Sequence, residues 1–188
     1  SAMICLTVLS ACGGLAVTPR EHDVSGLVWS VTEAKQKGEV GSVEGHLYLF
    51  LPGPPPPLRD WPVTLIPLPA TLEHAVSLAR EQFARTGRLP LTADALRLAR
   101  QPIDDYMKAL TATGHQELIR TVKTAAGGPG TDPTFRFEDV PQGRWLLLAE
   151  LPSKISTLLW VVPVTVTKGA VTWQSLNDKS LWLEGVTP

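Results

Sequence analysis

Residue types able to do acid–base, nucleophilic or metal chemistry are thinly spread in this chain. The four histidines, His22, His46, His74 and His115, are scattered, and none belongs to a His-Glu-x-x-His pair that would set two imidazoles on one helix face for zinc. Both cysteines, Cys5 and Cys12, lie in the first dozen residues, so the body has neither a thiolate pair for a metal nor a disulfide. In Gly41-Ser42-Val43-Glu44-Gly45 the serine stands one position too early for a nucleophile elbow, and there is no Gly-rich phosphate loop ending in Lys-Ser/Thr. The neighbouring carboxylates Asp104-Asp105 and Glu138-Asp139 point different ways from a helix or a strand, and read as solvated surface. The expectation is a protein that is not an enzyme, with no metal and no cofactor.

Binding is better represented. Of six tryptophans, Trp145 and Trp173 fall inside strand-like runs and are expected in the core, whereas Trp29, Trp61 and Trp182 are the candidates for an exposed, sugar-stacking platform. Five arginines, Arg80, Arg85, Arg88, Arg97 and Arg100, fall on what should be the wet faces of helices. They offer a surface to an acidic envelope partner, although such arginines also serve solubility. Pro54-Pro55-Pro56-Pro57-Leu58-Arg59 has the composition of a polyproline II ligand and equally of a stiff connector, and the connector is the simpler reading.

These residues need a scaffold, and the composition describes one. The chain has 188 residues, 17 Lys plus Arg against 18 Asp plus Glu, and 44% hydrophobic content. Such a chain buries about 70% of its surface on folding, enough for one domain without staples. A net charge of −1 with no long basic run argues against nucleic acid, or an anionic membrane held by charge, as a partner.

Strand patterns dominate both ends. Residues 24–31 and 45–51 alternate as half-buried strands around a charged turn at 35–41, and Trp61-Pro62-Val63-Thr64-Leu65-Ile66-Pro67-Leu68 reads as a strand whose prolines favour a sheet edge. Further strands are expected at 118–124, 135–140, 144–151, 158–167 and 171–176. Between them Leu72, Ala75, Val76, Ala79 and Phe83 form one helical stripe. Thr92 can cap a short helix to Arg100, and Pro102 can open another bearing Ile103, Met107 and Leu110 and stopped by Gly114. The fold expected is mainly β (α+β), an antiparallel β-sandwich of about 7–8 strands with a helical insertion at about 70–116.

Two stretches resemble known families. Leu9-Ser10-Ala11-Cys12 closes an apolar run and resembles the lipobox of bacterial lipoproteins, in which the cysteine thiol takes a diacylglyceryl group and becomes the new N-terminus. The run from Met3 to Val17 would span only about 22 Å as a helix, too short to cross a bilayer. The resemblance implies lipid attachment at Cys12 and a place in the bacterial cell envelope. On this reading residues 1–12 are a tag remnant (Ser1-Ala2) plus signal segment, 13–23 a linker, and 24–188 one domain. Second, Thr131-Asp132, Phe135, Phe137, Val140-Pro141, Gly143 and Trp145 follow the pattern of carboxypeptidase regulatory-like, or prealbumin-like, sandwich modules. That resemblance implies a structural or binding part rather than a catalyst. Lys35, Lys37 and Asn177 have the residue types of a Lys–Asn isopeptide crosslink but lack its surrounding motif. The sequence thus points first to an envelope lipoprotein that binds a protein partner through its helical insertion, and second to a carbohydrate-binding module.

Overall fold

Among the described residues alternating burial builds eight strands. In β4 (Thr134–Pro141) Phe135 and Phe137 turn inward while Arg136 and Glu138 turn out, the two-residue period of a sheet with one wet face. The computed structural model describes residues 24–49, 60–84, 91–125, 132–152 and 156–186. Its other strands are β1 (Val40–Leu47), β2 (Pro62–Pro67), β3 (Arg120–Lys123), β5 (Gly143–Pro152), β6 (Ser156–Val166), β7 (Val171–Leu176) and β8 (Leu183–Val186). Among the described residues three α-helices accompany them, α1 (Val24–Gln36), α2 (Ala70–Ala84) and α3 (Ala93–Ala112), with a 3-10 turn at Gln116–Leu118.

The strands form two sheets, ordered β4-β1-β7 and β3-β2-β5-β6-β8, around one continuous core. This is the expected β-sandwich with a helical segment between β2 and β3. Phe135, Phe137 and Trp145 are buried beside the Val140-Pro141-Gln142-Gly143 corner, as the sequence pattern requires, and Trp145 Nε1 donates to the Pro141 carbonyl at 2.8 Å. In β5 Trp145, Leu146 and Leu147 are all buried, because the larger sheet is covered on both faces. α3 lies on one of them, setting Ile103 and Met107 against Thr64, Leu148 and Leu159. None of the helices described is long and apolar enough to cross a membrane.

Several expectations are corrected. Residues 24–31 form the first turns of α1 rather than a strand, with Val24, Val31 and Ala34 buried at helical spacing. The charged turn shrinks to Lys37-Gly38, where Gly38 takes φ +66°, and β1 begins at Val40 and ends before Tyr48. β2 is an interior strand, paired on both sides, because Pro62 and Pro67 sit at its two ends where a missing N–H costs least. The two short helices are one. Thr92 Oγ1 caps α3 by accepting from Ala95 N at 3.2 Å, and Pro102 lies inside it, opposite an exposed turn at Leu98 where water can serve the carbonyl left without a donor. Gly114, φ +80°, ends it as expected. The pairing is not wholly antiparallel, since β1 and β7 run parallel, and β8 was not foreseen.

Candidate functional site

β7 breaks the rule the other strands obey. Its burial pattern places Val171 and Trp173 outside, 59% and 57% exposed, while Thr172 and Gln174 point inward. Thr172 spends its hydroxyl on the Thr165 carbonyl, 2.9 Å away. Only Leu176 gives the inner face a fully buried apolar side chain. An apolar residue of this size held in water by a strand whose polar residues go inward is a local inconsistency of the kind that marks function.

The parallel register fixes what surrounds Trp173. Glu44 of β1 is its partner across the ladder, and Glu44 is in turn opposite Arg136 of β4. Arg136 Nη1 lies 3.3 Å from Glu44 Oε1, and its Nε lies 3.0 Å from Glu138 Oε1. The His46 and Trp173 rings meet edge to face, centroids 5.8 Å apart at 60°, and the indole stays largely exposed. Tyr48 continues the same side of β1 and is partly exposed. The outer face of the small sheet is therefore an aromatic plate bordered by a carboxylate–guanidinium–carboxylate row. It can stack a flat apolar surface and hydrogen-bond polar groups at that surface's rim. Among the described residues no three His, Cys, Asp or Glu side chains gather as a metal ligand set.

The platform residues expected from the sequence do not assemble. Trp29 is exposed on α1, Trp61 is half-buried ahead of β2, and Trp182, expected at the surface, is 6% exposed in the core. Trp173, expected in the core, is the exposed one. The arginine set also divides. Arg80 is exposed on α2, and Arg97 is exposed with Asp94 at 3.4 Å. Arg100 is half-buried rather than outward, bonded to Asp104 at 2.9 Å and paired with Glu150 of β5. It closes one end of a pocket of about 140 Å³ between α3 and the larger sheet, lined with Ile103, Met107, Leu148 and Leu159. Arg85, Arg88, Cys12, His22 and the proline run 54–57 lie outside the described residues. Asn177 holds a turn, its Oδ1 accepting from Lys179 N at 2.9 Å and Ser180 N at 3.2 Å, and Lys37 pairs with Glu33 at 2.7 Å.

No family model matches the chain, and no curated protein matches it. A solved structure from Pseudomonas aeruginosa, described provisionally as a carbohydrate binding protein, overlaps 79% of this chain and 94% of its own, with 18% identity and a TM-score of 0.40. Superposition at that level decides nothing about this chain. The case for the Trp173 face stands on its geometry alone.

Proposed function

We propose that this protein is a non-enzymatic carbohydrate-binding module of the bacterial cell envelope, and that the sugar stacks on Trp173. The observation that carries the reading is the inversion of β7, which exposes an indole on a sheet where the alternation had a buried position to offer it. A pyranose ring presents a patch of C–H groups to an aromatic face and hydroxyls around its edge. Trp173 supplies the face, while Glu44 and Glu138 accept and Arg136 donates at the rim. The envelope location rests on Leu9-Ser10-Ala11-Cys12, with lipid attachment at Cys12, and the prealbumin-like pattern around Phe135 to Trp145 accords with a binding part.

The helical insertion is the weaker recognition surface. Its stripe of Leu72, Val76 and Ala79 is buried, and Arg100 is occupied by two carboxylates of its own chain.

Screening the protein on an oligosaccharide array and titrating the best ligand by calorimetry tests the sugar site. Trp173→Ala should abolish binding with the thermal midpoint nearly unchanged, and Arg136→Gln should weaken it. Sugar binding that survives Trp173→Ala, or no binding by the folded protein to any glycan, overturns the reading. The anchor is tested separately, by detergent release of wild type and Cys12→Ala from bacterial membranes. Identical fractionation removes it.

A further inference from the structure

β7 is the last strand of its sheet, with β1 on one side and no strand among the described residues on the other. Ser42 N donates to Ala170 O at 3.0 Å and Tyr48 N to Leu176 O at 2.9 Å, so the even-numbered residues of β7 serve the ladder with β1. The N–H and C=O groups of Val171, Trp173 and Ser175 therefore face away from it. Ser175 O is already served by Ser180 Oγ at 3.0 Å and Gln174 Nε2 at 2.9 Å. Val171 and Trp173 are left presenting a donor and an acceptor each along an open edge.

We infer that this edge pairs with β7 of a second copy, antiparallel across a two-fold axis at Thr172, with Val171 of one protomer opposite Trp173 of the other. In that register each Val171–Trp173 pair exchanges both backbone hydrogen bonds, and the two pairs together occupy the open groups of Val171 and Trp173. It also sets the two large apolar side chains that β7 exposes against each other on the outer face, an aromatic on a β-branched residue. Thr172 meets its own copy on the axis. The capped Ser175 carbonyl is left undisturbed. The result is one continuous sheet, β4-β1-β7 followed by the same three strands in reverse.

The occupant is a second copy because the strand complements itself. Val171-Thr172-Trp173-Gln174-Ser175-Leu176 contains no charge, proline or glycine, the devices by which sheet edges avoid self-pairing. A foreign strand would have to bring a β-branched and an aromatic residue two positions apart, which β7 already has. This inference does not rest on the sugar reading, since pairing leaves the outer face of the indole open.

Sedimentation equilibrium of the full chain should show a reversible dimer. Val171→Lys, which puts a charge on the pairing edge and removes the β-branched partner of the opposing Trp173, should raise the dissociation constant by at least about tenfold with the circular dichroism spectrum unchanged. With Cys5→Ser and Cys12→Ser in place, Thr172→Cys should oxidise to a crosslinked dimer, and Gln174→Cys, which faces residue 170 of the other copy, should not. A protein monomeric up to its solubility limit overturns the inference. So does a dimer indifferent to Val171→Lys, or one that fails to crosslink at position 172. Arg136→Gln, which lies on β4 away from this edge, should weaken sugar binding and leave the dimer unchanged, so the two readings fail separately.

Discussion

The ring of Phe135 fills the space that a side chain on Gly45 would need, its Cζ lying 2.6 Å from where a Cβ would stand. The two residues are register partners in β1 and β4, and on the other side the Gln174 carbonyl of β7 closes in on the same point. A central strand normally disfavours glycine. Here its absence of a side chain lets β7 run parallel to β1 at close range and lets an aromatic ring roof the gap, which is how the Trp173 strand is held in place.

Gly45→Ala should therefore destabilise the fold by about 1–3 kcal/mol, the usual cost of overpacking, and by more if the backbone of β7 cannot yield. Urea denaturation of the variant beside wild type checks this. An unchanged midpoint would mean that β7 sits further from β1 than described.

Phe137, 1% exposed and 6.3 Å from Phe135 between ring centroids, packs edge-to-face inside the sandwich. Phe137→Ala should cost about 3–5 kcal/mol. A loss below about 1 kcal/mol, the scale of a surface change, would contradict its place in the core.

These core positions were legible because burial and sequence alternation agree there. Phe135, Phe137 and Trp145 flank a Pro-Gln-Gly corner, and hydrophobicity with a two-residue period leaves them nowhere else to go. α1 was misread because Val24, Leu27, Val28 and Val31 fit a helical stripe, while Val24, Gly26, Val28 and Ser30 also fit one side of a strand. The buried set Val24, Val31 and Ala34 shows which period the chain obeys. The candidate site was illegible for a different reason. Nothing in Val-Thr-Trp-Gln-Ser-Leu reveals that its apolar residues face water, because that orientation is set by Leu176 and by the ladder with β1. The sequence offers only that a two-residue period sets Leu176 on the face opposite Trp173, so the strand cannot bury both.

Arg120 ties the two sheets at a defect. Gly41 pairs with Val140 and Val43 with Phe137, so Ser42 is opposed by both Glu138 and Asp139, and Asp139 takes φ +50° to absorb the extra residue. The Arg120 guanidinium donates to the Glu138 carbonyl at 2.5 Å and the Asp139 carbonyl at 3.3 Å, with its carbon 6.0 Å from the Phe137 ring centre. Arg120→Ala should cost about 1–2 kcal/mol, at the lower end for charge-assisted bonds because the site is partly wet. Arg120→Lys should restore only part, since an ammonium cannot fork to two carbonyls. Full rescue by lysine, read from chemical denaturation, would reduce the contact to simple charge.

Tyr106 gives the fold an alkaline limit. Its ring is buried on α3 in line with Ala99, Ile103 and Leu110, and burial pushes its phenol well above the usual tyrosine value because a phenolate would lose its hydration there. Below the unfolded-state value of about 10, both states hold the proton and this group adds no pH dependence. Above it the unfolded chain releases the proton while the folded chain retains it. The unfolded state then binds fewer protons, so unfolding free energy falls as pH rises, by up to about 1.4 kcal/mol per pH unit. Tyr106→Phe removes that slope. With each protein normalised to its own neutral-pH stability, the variant should keep more of it than wild type above about pH 10. Superimposable alkaline profiles would mean that the phenol ionises in the folded state as readily as in the unfolded chain, and that α3 does not seal it from water.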